Sequence, residues 1–290
     1  MMQKDAGNRT ELGYEALLLV TAAIWGTAFV AQRQGMASLG PLSYNAARFT
    51  LGALALVPLL VFMRVDRSMV RAALLPGVAA GAVLTVGATL QQMGLMYTTA
   101  GKAGFITGLY VVLVPVAAIF FGRRTPVMTW VGAALALSGL YLLSVSGSIA
   151  LNAGDVYVFV SAFFWTAHIL VLDRYASRVH AITLACVQFA VCAILGWGGV
   201  LLFEAPVAAD FVAAAWPIAY GGIMSIGVAY TLQAVAQSRA HPARASIIMS
   251  LEAPFAAVSG ALLLGETMGV RELAGAALML AGMILAQYRK

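Results

Sequence analysis

The sequence predicts an all-α, polytopic membrane protein of ten transmembrane helices, arranged as two five-helix units of inverted topology. Of its 290 residues, 62% are hydrophobic and 10% charged, and the mean hydropathy is +0.92. Soluble domains carry roughly 25% charged residues to cover a wet surface. Apolar runs long enough to cross ~30 Å of hydrocarbon follow one another with short polar breaks, leaving no stretch for a soluble domain. A third observation is that the halves of the chain align with each other at a nearly constant shift.

Taken in order, charges and Gly or Pro clusters delimit segments near 14–32, 41–63, 72–96, 103–121 and 126–145 in the first half. The second half repeats the count near 155–176, 181–203, 212–236, 243–264 and 271–288. The first run starts near Tyr14 behind Lys4 and Arg9, which superficially fits a secretory signal peptide. Its length and its counterpart at 155–176 point instead to a retained helix. Pro41, Pro126 and Pro242 stand at segment starts, where a missing N–H costs nothing. Pro115 and Pro254 interrupt the fourth and ninth segments at roughly corresponding places, either as plain kinks or to free carbonyls for a cavity or gate. Gly77/Gly81 and Gly104/Gly108 are small-xxx-small pairs suited to close helix packing. Trp130 and Trp216 read as interface anchors, and Glu15 and Asp155 as boundary and cap residues. The implied organisation is a tail over 1–13 and repeats over 14–146 and 147–288.

Positive charge is retained on the cytoplasmic side of short loops. With ten crossings the opposite face receives only Arg33, Lys102 and Arg271, and Arg48 lies inside a segment. Every other one of the 17 Lys and Arg falls on the face holding the N-terminus, so both termini are expected in the cytoplasm of a cell (inner) membrane protein. The net charge of +6 is scattered rather than striped, which argues against nucleic-acid binding. Cys186 and Cys192 share one apolar segment and offer neither a disulfide framework nor a multi-cysteine metal site.

In the repeat, Trp25 falls on Trp165 and Phe49 on Phe189, and Leu90-Gln91 falls on Leu232-Gln233. GAALALSG at 132–139 falls on GAALMLAG at 275–282. A unit of five crossings ends on the face opposite its start, so its copy is inserted upside down. Halves related by a pseudo-two-fold axis in the membrane plane give an alternating-access carrier two similar gates around one central site.

AAIWGTAFV at 22–30, the stretch 100–109 and SLEAPFAAVSGALLLGE at 250–266 together resemble the EamA domains of the drug/metabolite transporter superfamily. The resemblance covers nearly the whole chain and implies ten helices in two five-helix copies. Among members the chain looks most like the YddG-type exporters of amino acids, particularly aromatic ones. It departs from a strict duplication at Arg123, which stands where the second half has Glu266.

Polar side chains are costly in hydrocarbon and therefore point to helix contacts or a wet path. Arg48 is either a binder of substrate carboxylates or a cation paired within the bundle. Glu252, just before Pro254, is the coupling candidate: it either titrates for proton exchange, holds a substrate amine, or serves as a structural partner. Gln91, Gln92 and Gln233 can hydrogen-bond a zwitterion or glue helices together, and the repeat relation of Gln91 and Gln233 favours a central location. His168 lies one turn after Trp165 with no ligand-type residue at metal spacing, which favours a cavity or packing role. Trp25, Trp165, Tyr44, Tyr97, Tyr110 and Tyr230 supply rings with polar edges suited to a partly apolar solute.

These features predict a secondary transporter exporting small organic solutes, with amino acids (aromatic or other apolar) foremost, working in the bilayer as a possible monomer without cofactor or metal. No Walker sequence is present to hydrolyse ATP. The alternatives are an intramembrane enzyme acting on a lipid-linked substrate and an exporter of drug-like cations. Sequences of the HExxH, GxSxG and paired-aspartate kind are absent, which counts against the enzyme.

Overall fold

A backbone amide in hydrocarbon finds no water, so each crossing must satisfy its own hydrogen bonds, and every regular element among the described residues is a helix. The computed structural model describes residues 2–98, 100–144, 152–264 and 269–287, with side chains over 12–98, 103–143, 152–263 and 269–286. Its helices are α1 (Met2–Gly35), α2 (Pro41–Phe62), α3 (Arg67–Leu95), α4 (Ala100–Gly108), α5 (Tyr110–Phe120), α6 (Val127–Ser144) and α7 (Ala153–Tyr175). They continue as α8 (Ala181–Phe203), α9 (Ala208–Ala213), α10 (Ala215–Ala219), a π-helical stretch (Tyr220–Tyr230), α11 (Thr231–Gln237), α12 (Pro242–Met249), α13 (Glu252–Leu264) and α14 (Val270–Gln287).

Among the described residues, eight segments are long and apolar enough to cross a membrane: Leu12–Gly35, Pro41–Phe62, Arg67–Leu95, Ala103–Phe120, Ala153–Tyr175, Ala181–Phe203, Ala215–Gln237 and Pro242–Leu263. The segments expected at 126–145 and 271–288 fall on α6 and α14, each of which runs up to residues outside the described ones. In α14 the first turn carries Arg271 and Glu272, so its apolar run starts only at Leu273. The tail expected over 1–13 is helical from Met2 and continuous with α1. Glu266 lies outside the described residues.

Local chemistry fixes the helix ends. Asp66 caps α3 by accepting from Ser68 Oγ at 2.7 Å and from the Met69 amide at 2.9 Å, and these bonds, the hydroxyl foremost, hold its carboxyl below the ordinary range. Asn152 and Asp155 cap α7 reciprocally, each accepting from the other's amide at 3.0 Å, and Thr98 donates to Asp155. Glu204, just past α8, accepts from the Leu42 and Ser43 amides at 2.9 and 2.8 Å and so ties that end to the start of α2.

Two of these apolar segments are broken along their length. Pro254 has no N–H for the Ser250 carbonyl, and the chain tightens so that Ala253 N bonds Ser250 O at 3.2 Å, separating α12 from α13. The α4–α5 break at Leu109 shows the same tightening, with Leu109 N on Ile106 O and Val112 N on Leu109 O. Tyr220–Tyr230, which contains Gly221, Gly222 and Gly227, widens into a π-helix.

Small residues set the closest contacts. The helix α6 packs along α14, α2 packs against α8 and the π stretch, α3 packs against α7 and α8, and α1 packs against α13 and the π stretch. A Cβ built on Gly132 would lie 2.6 Å from the Gly282 carbonyl, and one on Gly282 would lie 2.6 Å from the Gly132 carbonyl. Gly139 and Gly275 meet in the same reciprocal way. Gly81 approaches the Gln188 carbonyl and Gly108 approaches Leu140, whereas Gly104 has nothing within 4 Å of where its Cβ would be and makes no close helix contact.

Candidate functional site

The helix breaks and the π stretch surround a small cavity of about 40 Å³ in the middle of the bundle. Its walls come from α1 (Trp25, Phe29, Gln32), α2 (Arg48), α3 (Gln91), the α4–α5 break (Thr107, Tyr110) and α7 (Trp165, Ile169). The π stretch with α11 adds Ser225, Tyr230 and Gln233, and the α12–α13 break adds Met249 and Glu252.

Charge is placed on two walls. Arg48 is 3% exposed, and its Nε has no hydrogen-bond partner. Its Cζ stands 5.3 Å from the Tyr44 ring centroid and 5.4 Å from that of Phe49, so two aromatic faces stabilise the cation without neutralising it. Among the described residues Arg48 has no carboxylate within ion-pair distance. Glu252 stands at the broken end of α13 and accepts a hydrogen bond from Tyr110 Oη at 3.1 Å, a neutral donor. Both side chains are thus partnered by neutral groups.

Rings fill the space between. Tyr230 lies 4.5 Å from Trp25, centroid to centroid, and stacks on Trp165 at 6.3 Å with 21° between the planes. Trp25 Nε1 donates to the Ser225 carbonyl at 3.3 Å, and Thr21 Oγ1 donates to the Ala229 carbonyl at 3.2 Å. The π stretch therefore offers α1 two acceptors, and these fix the Trp25 ring against Tyr230. Gln91 Nε2 donates to Thr107 Oγ1 at 3.0 Å across the opposite wall.

Of the residues selected from the sequence, the structure brings Trp25, Arg48, Gln91, Tyr110, Trp165, Tyr230, Gln233 and Glu252 to this cavity. Tyr44 is fully buried beneath Arg48 and donates to the Pro217 carbonyl at 3.3 Å. His168 is fully buried behind Tyr230, with Nε2 3.0 Å from Gln188 Oε1, and it supports the ring rather than lining the space. Gln92 is fully buried on another side of α3, away from the cavity walls. Tyr97 is 60% exposed beyond the end of α3. Pro115 is buried within α5, and Pro254 is buried at the α12–α13 break.

The cavity also has walls that the sequence reading did not select: Phe29, Gln32, Thr107, Ile169, Ser225 and Met249. Helical spacing could have found most of them. Phe29 and Gln32 follow Trp25 by one and two turns, Ile169 follows Trp165 by one turn, and Thr107 and Met249 precede Tyr110 and Glu252 by one turn. Ser225 carries no comparable signal, because its position depends on the π-helical register.

Comparison with known proteins places this geometry among transporters. The EamA-like transporter family matches residues 13–145 and, separately, residues 152–288. An uncharacterized transporter of Archaeoglobus fulgidus is 30% identical over 287 residues, covering 94% of this chain and 85% of that protein. A probable terminal-alkyne amino-acid exporter of Streptantibioticus cattleyicolor is 26% identical, covering 94% of this chain and 92% of the exporter. A solved crystal structure shares the fold with a TM-score of 0.79 at 18% identity, over 94% of this chain and 97% of its own.

Proposed function

Because the chain belongs to the EamA-like transporter family, we propose that it is a secondary transporter that exports amino acids, aromatic or otherwise apolar, by alternating access around the central cavity. The observation that carries this reading is the pairing of a cation and an anion on separate walls with rings between them: Arg48 for the solute's carboxylate, Glu252 for its ammonium, and Trp25, Trp165 and Tyr230 for its apolar side chain. A zwitterion satisfies both charges at once, whereas a drug-like cation would leave Arg48 facing a second positive charge.

The proposed architecture is ten crossings in two inverted five-helix repeats, 14–146 and 147–288, in a cell membrane with both termini cytoplasmic. Several contacts support it, because residues that correspond in two copies touch each other only near the axis relating them. Phe49 meets Phe189 at 6.4 Å, and Tyr110 bonds Glu252, its counterpart 142 residues on. Gly132 meets Gly282, the counterpart of Gly139, and Gly139 meets Gly275, the counterpart of Gly132, so these two contacts exchange under the same two-fold. The cavity straddles that line, since Trp25 and Trp165, Phe29 and Ile169, Gln91 and Gln233, and Thr107 and Met249 are corresponding positions that all line it. Symmetric gates on either side then expose the same groups to each face in turn.

Counterflow in reconstituted vesicles tests the reading. Saturable exchange of a labelled amino acid is expected, and Arg48→Ala or Gln91→Ala should lower it without lowering membrane abundance. Parental transport by both variants would place the binding site elsewhere. Product formation without exchange would favour an enzyme.

A further inference from the structure

Four helices run from the cavity to the face that holds Glu15, and all four carry the same ladder of side chains. On α1 the order is Trp25 in the cavity, Leu18 in an apolar layer and Glu15 at the end; on α12–α13 it is Glu252, Ile248 and Arg244. On α5 it is Tyr110, Val114 and, just beyond the helix, Arg123; on α7 it is Trp165, then Ile169, which both lines the cavity and packs into the apolar layer, and Asp173. At 1.5 Å per residue the charged rung lies about 12–20 Å below the cavity rung on each helix. The rungs close on one another. Leu18, Val114 and Ile248 are at most 1% exposed, Glu15 pairs with Arg244 at 2.8 Å, and Asp173 pairs with Arg123 at 2.8 Å. One ion pair joins α1 to α12 and the other joins α7 to the end of α5, so together they shut this face beneath an apolar plug.

His241 caps α12 between the two pairs. The charged and polar groups facing it are Arg244 from its own helix, Asp173 from α7, and Arg123 with the Arg124 backbone from the α5–α6 connection; Glu15 of α1 lies one ion pair away, on Arg244. Its Nδ1 is buried without a partner. A proton there would add a third cation beside Arg244 and Arg123, offset in part by Asp173 and by the Arg124 backbone.

We infer that this cluster is an acid-released latch: protonation of His241 loosens both ion pairs and opens the cavity to the Glu15 face, the face assigned above to the cytoplasm. The latch rests on the transporter reading only in taking the cavity as the solute path. Burial, and after it Arg244, hold the His241 imidazole below its ordinary value of 6.5 while the face is closed. In the open state water restores that value. The closed state therefore keeps its full stability above about pH 6.5 and loses it as pH falls further, by tenfold in the open-to-closed ratio for each unit the closed form depresses the group.

Thiol labelling tests this without any substrate. Ala236, fully buried in the plug, is replaced by Cys in a Cys186→Ser, Cys192→Ser background. A membrane-impermeant maleimide is applied from the Glu15 face at pH 7.5 and 5.5, with rates normalised to an exposed Val70→Cys reporter. Normalised labelling should rise several-fold at the lower pH, His241→Gln should abolish the rise, and His241→Lys should label rapidly at both values. A flat response in the parent, or an unchanged response in His241→Gln, overturns the latch. Neither outcome bears on which solute the cavity binds, and loss of counterflow in the Arg48 variants leaves the latch untouched.

Discussion

Replacing Arg48 by Gln should separate solutes by whether they carry a carboxylate. The side chain is 3% exposed, and among the described residues no carboxylate lies within ion-pair range of it. Its removal therefore strands no buried anion, and the fold should survive, which is not the case when half of a buried ion pair is deleted. What disappears is a charge-assisted hydrogen bond to the solute, contributing about 1.5–3 kcal/mol. At 1.4 kcal/mol per decade this corresponds to roughly a 10- to 150-fold loss of affinity. The assay is competition against labelled amino acid counterflow, comparing phenylalanine with phenethylamine, which has the same ring and ammonium but no carboxylate. In Arg48→Gln the competition constant for the amino acid should rise by at least about tenfold, and that for the amine should stay close to its parental value. Equal shifts for both compounds would refute the carboxylate assignment, because they would show that Arg48 acts on the cavity as a whole.

The converse change, Glu252→Gln, keeps the Tyr110 bond through the amide oxygen but removes the anion, so it should weaken amino acids about tenfold or more while sparing a carboxylate that lacks the amine, measured in the same competition assay. Trp25→Ala removes the ring nearest Tyr230 and should cost phenylalanine about 1 kcal/mol more than it costs alanine as solute. Gly132→Leu forces a side chain onto the Gly282 backbone and should lower thermal stability by about 1–3 kcal/mol. Gly104→Ala meets nothing and should be neutral or slightly stabilising in the same melting assay.

The sequence made the membrane class legible because transfer to hydrocarbon is decided by composition, and composition is visible in any window. It also pointed to eight cavity walls, because polar and aromatic residues inside apolar helices have few reasons to be there. What it left obscure depended on side-chain direction. Gln91 and Gln92 are adjacent and chemically identical, yet one faces the cavity and bonds Thr107 while the other is buried elsewhere, a difference set by about 100° of helical rotation. Ser225 was hidden for a related reason, since a π-helical stretch shifts which residues share a face. The break at Leu109 was not legible from Pro115, which stands six residues later.

The α6–α14 contact has a consequence for descent. Gly132 meets the counterpart of Gly139, and Gly139 meets the counterpart of Gly132, so a single surface mates with its own copy. Under the proposed two-repeat architecture, a half-length ancestor bearing that surface pairs with an inverted second copy of itself, and its central walls are then identical by necessity. Under such identity Tyr110 would face another Tyr110. In the two-repeat reading, the Tyr110–Glu252 bond records divergence between the copies, a phenol on one side facing a carboxylate on the other.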